Sequence, residues 1–185
     1  MGSPESREEI EVKYRLAGPE EAARLRARLA ALGARPAGRE AEDNVLFDHP
    51  DGRLLASHRV LRLRTLDGGP GGRLTFKGPA TYAGALKRRV EHETAVADVA
   101  AARAILEALG YVPTVAYAKQ RETWRLDGAE VALDELAFGH FCEIEGAPDA
   151  IARVVAALGL APEAAEPAGY PALTARYQAA RRPSP

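Results

Sequence analysis

Seven segments of this 185-residue chain alternate charged and apolar side chains with a period of two, and their charged positions hold Lys, Arg, Glu and Asp almost without dilution. Period two belongs to the β-strand, whose successive side chains point to opposite faces. Glu9, Glu11 and Lys13 alternate with Ile10, Val12 and Tyr14; Arg62 and Arg64 with Leu61 and Leu63; Arg73, Thr75 and Lys77 with Leu74 and Phe76. Arg89, Glu91 and Glu93 share a parity, as do Lys119, Arg121, Thr123 and Arg125, which oppose Trp124 and Leu126. Glu130, Ala132 and Asp134 oppose Val131 and Leu133, and Glu143 and Glu145 flank Ile144 beside Cys142. A single such strand reads as half-buried with a solvated polar face. Solvated faces also carry Thr, Ser, Asn and Gln, so seven faces built mainly of full charges call for another explanation. A closed barrel of roughly eight strands supplies it, turning the charged faces onto a narrow lumen and leaving the apolar exterior to be covered by helices. The expected fold class is therefore α+β, an eight-stranded antiparallel β-barrel with a charged lumen and helices packed outside. It forms one domain over residues 1–185, with 1–7 and 182–185 expected to be disordered.

Helical spacing accounts for much of the rest. Residues 19–32 open on Pro19, Glu20 and Glu21 and carry Leu25, Leu29 and Leu32 before Gly33. Residues 98–109 begin at Asp98 as an N-cap and stop at Gly110, and residues 148–158 stop at Gly159. A last helix is expected around 171–181. Gly68-Gly69-Pro70-Gly71-Gly72 lacks the Lys-Ser/Thr ending of a phosphate loop and reads as a hairpin connection, and Asp127-Gly128 is a tight-turn signal.

Composition narrows the partners. With 25 Lys+Arg against 26 Asp+Glu, the chain has a net charge of −1 and is not coated for duplex nucleic acid. One cysteine forms no internal disulfide, no stretch approaches the ~20 apolar residues of a membrane span, and the N-terminus lacks a signal-type apolar run. A cytoplasmic, reducing setting is expected. His49, His58, His92 and His140 show no paired metal-ligand spacing, and Cys142 reads as a small buried hydrophobe.

A lumen lined by Lys13, Arg62, Arg64, Lys77, Arg89, Lys119 and Arg121 calls for a polyanion, because unpaired buried cations are strongly penalised. A triphosphate, with about four negative charges and many acceptor oxygens, suits planar Arg forks and point-charge Lys. Glu9, Glu11, Asp134, Glu143 and Glu145 then supply hard oxygens for Mg²⁺ or Mn²⁺, which bridge phosphates and neutralise developing charge. The plainer reading is that acids and bases pair across the barrel, and Glu91 and Glu93 suit that supporting role.

The ordered set Glu9-x-Glu11-x-Lys13, Arg62/Arg64, Lys77 in Thr-Phe-Lys-Gly, Arg89-x-Glu91-x-Glu93, Lys119-x-Arg121, Asp134 and Glu143-x-Glu145 resembles the CYTH family, the triphosphate tunnel metalloenzymes. The run from Leu109-Gly110-Tyr111 through Lys119-Gln120-Arg121, with Leu133-Asp134-Glu135-Leu136 and Phe141-Cys142-Glu143-Ile144-Glu145, is similar to the class IV adenylyl cyclase subgroup. A departure falls at Gly169-Tyr170-Pro171-Ala172-Leu173, where the family has Ser-Tyr followed by a Leu-Leu pair. The resemblance implies an eight-stranded tunnel, a divalent metal and a triphosphate substrate (ATP, thiamine triphosphate or tripolyphosphate), with a homodimer allowed. It assigns catalysis to Lys13, Glu9 and Glu11, triphosphate binding to the seven bases, and metal binding to the five acids. Two reactions compete: cyclisation, in which the ribose 3′-hydroxyl attacks the α-phosphate of ATP and pyrophosphate leaves, and hydrolysis, in which water attacks the γ-phosphate. A non-catalytic polyphosphate-binding or nucleotide-binding module is the third reading. A base-recognition pocket would separate them, and no residue in the sequence identifies one.

Overall fold

The computed structural model describes residues 7–181. The expectation for residues 1–6 and 182–185 lies outside the described residues, while Arg7 opens the first strand instead of preceding it. Among the described residues there are nine strands: β1 (Arg7–Leu16), β2 (Arg35–Asp48), β3 (Val60–Leu66), β4 (Gly72–Lys77), β5 (Thr81–Ala83), β6 (Leu86–Val96), β7 (Val112–Leu126), β8 (Ala129–Leu136) and β9 (Gly139–Gly146). They pair antiparallel in the order β1-β9-β8-β7-β2-β3-β4-β6, and β6 pairs back onto β1, so eight strands close a barrel. The short β5 pairs with β6 at Arg88, Lys87 and Leu86, beyond the stretch of β6 that pairs with β4.

All seven strands read from charge alternation are present. The long β2 escaped that reading because its apolar run Val45-Leu46-Phe47 hides the alternation. Five helices lie outside the barrel: α1 (Pro19–Ala31), α2 (Arg53–Ala56), α3 (Val99–Ala108), α4 (Pro148–Leu158) and α5 (Tyr170–Arg181). Asp98 caps α3 as expected, accepting from the Ala101 amide at 2.9 Å.

The main core lies between the barrel wall and α1 and α4. Val12 and Tyr14 of β1, Val131 and Leu133 of β8, and Cys142 and Ile144 of β9 meet Leu25, Leu29, Ile151 and Val154 there. These residues are the apolar parity of each strand, so the barrel wall separates an oily exterior from the charged face. A second cluster, Phe47, Leu63 and Leu106, seats α3. Phe141, Leu136, Tyr170 and Leu173 seat α5. Cys142 is fully buried in the main core, and burial pushes its thiol well above the usual range.

One turn and one close approach of strands are stereochemically required. Asp127 and Gly128 both have positive φ, 48° and 82°, as a two-residue hairpin between β7 and β8 needs. At Gly72 a Cβ would stand 1.8 Å from the Arg64 carbonyl oxygen and 2.8 Å from a Val99 methyl. The glycine is thus the only residue that lets β4 pass so close to β3 beneath α3.

Candidate functional site

The barrel encloses a cavity of about 940 Å³. All seven expected bases line it, together with Arg73 and Lys87, and seven glutamates line it as well: Glu9, Glu11, Glu91, Glu93, Glu130, Glu143 and Glu145. Asp134 stands behind this wall, 2% exposed, with Glu42, which is 1% exposed. The site therefore brings nine cations against nine carboxylates. The strand register alternates many of them, because Glu42 faces Lys119, Asp134 faces Arg121, Glu143 faces Lys13, Glu91 faces Lys77 and Glu11 faces Lys87 across neighbouring strands.

Contacts follow the register. Lys77 Nζ donates to both Glu9 oxygens at 2.6 and 2.8 Å and lies 2.9 Å from Glu91. Lys87 donates to Glu11 at 2.8 Å. Lys13 lies 3.4 Å from Glu143 and donates to the Ala168 carbonyl at 3.0 Å. Arg62 donates to Thr75 Oγ1 at 3.2 Å, and Thr75 donates to Glu93 at 2.8 Å. Arg89 is held by the Gly78 carbonyl at 2.6 and 3.0 Å.

Arg121 is the hub. Its fork donates to both Asp134 oxygens at 2.7 and 2.6 Å, it donates to Glu143, and it lies 3.8 Å from Glu42. Burial alone would raise the Glu143 and Asp134 carboxyls, but the cations around them prevail. Lys13, Arg121 and Lys119 hold Glu143 well below its usual range, and Arg121 and Lys119 hold Asp134 down. Glu42 is likewise lowered against its burial by Lys119, Arg121 and Arg64. Burial, reinforced by Arg121, brings the Lys119 ammonium down to about 8 in spite of Asp134, Glu143 and Glu42.

Glu42, Asn44, Lys87 and Tyr170 were not singled out from the sequence. Glu42 lies 3.1 Å from Arg64 and 3.4 Å from Lys119, and Asn44 Oδ1 accepts from Arg64 at 3.1 Å. Lys87 shares the parity of Arg89 and Glu91, one step before the stretch that drew attention. Tyr170 resolves the departure in the closing segment. At the start of α5 it donates to Asp134 at 2.7 Å, and Lys13 sits 4.2 Å from its ring centroid.

The acids also fit a divalent ion in chemistry. Glu11 faces Glu145 across β1 and β9, and Glu145 faces Glu130 across β8, three carboxylates in one row. Like charges directly opposed destabilise a sheet, and a hard divalent cation among them would relieve that cost. Among the described residues no three such groups already form a metal cluster. Glu9, Glu11 and Glu143 are each engaged by a cation instead. Asp134, with Arg121, Lys119 and Tyr170 upon it, holds cations in place and stands off the cavity wall.

The chain matches a known domain, the CYTH domain, over residues 7–174. The chain belongs to the CYTH family. Members of the CYTH family bind triphosphate substrates and are metal-dependent in general. Among solved structures, the PH1012 protein of Pyrococcus horikoshii is 26% identical with a TM-score of 0.76, covering 89% of this chain and 98% of its own. A proposed adenylate cyclase from Vibrio parahaemolyticus is 21% identical, TM-score 0.74, covering 90% and 97%. HpAC1 of Hippeastrum, a proposed adenylyl cyclase with a dominant triphosphatase activity, is 20% identical, TM-score 0.69, covering 95% and 97%. No curated protein matches the chain. Among the described residues no helix is long and apolar enough to cross a membrane.

Proposed function

We propose that this CYTH protein is a divalent-metal-dependent enzyme that binds a triphosphate in its barrel and cleaves a phosphoanhydride of it. The observation that carries the reading is the balance of nine cations and nine carboxylates around one cavity. A triphosphate adds about four negative charges to a site already balanced, and divalent cations restore neutrality. On binding, Arg62, Arg64, Lys77, Lys87, Lys119 and Arg121 exchange carboxylate oxygens for phosphate oxygens and Arg89 leaves the Gly78 carbonyl, so that Glu9, Glu11 and Glu143, with Glu145 beside them, would hold Mg²⁺ or Mn²⁺. Such an ion supplies Lewis-acid polarisation of the phosphoryl oxygens. Asp134 keeps Lys119 and Arg121 aimed into the lumen. Lys13, fixed between Glu143 and the Ala168 carbonyl, donates to a reacting oxygen, and Glu9 and Glu11 orient the nucleophile.

Cyclisation of ATP to cyclic AMP and pyrophosphate is the first reading, from the subgroup motif over Leu133–Glu145. Hydrolysis is the second, favoured by the dominant triphosphatase activity of the Hippeastrum relative. Incubation with ATP, GTP, thiamine triphosphate and tripolyphosphate, with Mg²⁺ or Mn²⁺, is expected to give a metal-dependent product. Cyclic AMP with pyrophosphate marks the cyclase and orthophosphate the hydrolase. Tight binding with no product from any of the four would make the protein a binding module instead.

A further inference from the structure

The lumen is not charged throughout. Leu46 of β2 and Val60 of β3 occupy lumen-facing positions in the parity otherwise given to Glu42 and Asn44 and to Arg62 and Arg64, and both line the cavity. Leu46 is 7% exposed, yet neither it nor Val60 belongs to any of the three apolar clusters under the helices. The surface that each has left opens on the cavity. Tyr117 of β7 lies two residues along from Lys119 on the same face, its ring 6.1 Å from that of Tyr170, and Pro171 completes this side of the lining. The corner is built by β2, β3, β7 and the start of α5, whereas the opposed carboxylates lie on β1, β9 and β8.

Resting on the proposed triphosphate site, we infer that this corner seats the organic group of a triphosphate ester, so that the substrate is a nucleoside triphosphate and not inorganic tripolyphosphate. A polyphosphate alone gains nothing from Leu46, Val60 and Tyr117, which offer it two aliphatic faces and a ring. A flat heterocycle gains apolar burial and ring contact there. Arg62 is the direct cross-strand neighbour of Leu46 and carries a full positive charge beside the corner. Glu93 answers it at 3.7 Å, so the corner has no net charge of its own, which suits a neutral base, whereas the cationic thiazolium of thiamine triphosphate would carry a desolvation cost there.

The test is titration calorimetry of the full chain with ATP, thiamine triphosphate and tripolyphosphate, in wild type, Leu46→Asn and the near-isosteric Val60→Thr, with unfolding curves confirming that the variants fold. Each variant is expected to weaken ATP by about tenfold, the size of effect expected from a small change in a hydrophobic pocket, and tripolyphosphate by less than twofold. Wild type is expected to prefer ATP over thiamine triphosphate. Equal losses for ATP and tripolyphosphate, or no loss for either, overturn the corner while leaving the triphosphate site standing. Binding of none of the three by wild type overturns both.

Discussion

Arg121→Ala is expected to lower the stability of the free protein by about 3–5 kcal/mol at neutral pH, the usual cost of removing one partner of a buried charge cluster. Three carboxylates lose their shared cation in this variant. Asp134 and Glu42 are almost wholly buried, and the single ammonium of Lys119 does not replace the two-pronged fork that serves them together with Glu143. The pH dependence has a definite sign. Asp134, Glu143 and Glu42 have native values below their ordinary ones, so their contribution is present above the usual carboxylate range and is lost as pH falls through the depressed values. Without Arg121 that contribution shrinks, so the gap between wild type and variant should be widest near pH 7 and should close in acid. Denaturant unfolding at pH 7 and in acid checks this, and an equal gap at both pH values would contradict it. Arg121→Lys restores a charge without the bidentate fork, so it should recover only part of the stability and of the triphosphate affinity.

The Glu9→Ala/Glu11→Ala double variant is expected to cut metal-dependent turnover by about a thousandfold, a loss on the scale of removing a principal transition-state charge stabiliser. It should also show an effect that a mere folding defect would not. Glu9 and Glu11 engage Lys77 and Lys87 at 2.6 and 2.8 Å, so their removal takes that carboxylate from Lys87 and leaves Lys77 with Glu91, making the lumen more positive by two charges. Tripolyphosphate should then bind more tightly than to wild type when metal is absent, while turnover with metal collapses. Full activity in the double variant would remove Glu9 and Glu11 from the metal site.

The distance between sequence and structure shows most clearly at β2. Charge alternation located the lumen faces of seven strands, because a run such as Glu9-Ile10-Glu11-Val12-Lys13 permits only one division into wall and lumen. In β2 the pattern fails, since Leu46 is apolar and faces inward. Glu42, the most buried acid of the site, was hidden with it. The balance of charge was equally out of reach. Parity assigns a residue to the lumen, but whether Lys77 faces a phosphate or a glutamate depends on register, and pairing β4 with β6 and β6 with β1 is a long-range result. The lumen, which the sequence furnished with seven bases and with acids free either to pair with them or to hold a metal, is a lattice of ion pairs. Tyr170 was obscured because its role comes from the docking of α5 onto the barrel, which no local pattern encodes.

The most direct test of the account is titration of wild-type protein with tripolyphosphate, and with orthophosphate as reference, at several salt concentrations, alongside an Arg64→Ala/Lys77→Ala variant. One saturable site per chain is expected, preferring tripolyphosphate, losing affinity as salt rises, and weakened at least a hundredfold in the variant. Absence of saturable binding, or binding undiminished by loss of Arg64 and Lys77, would contradict it.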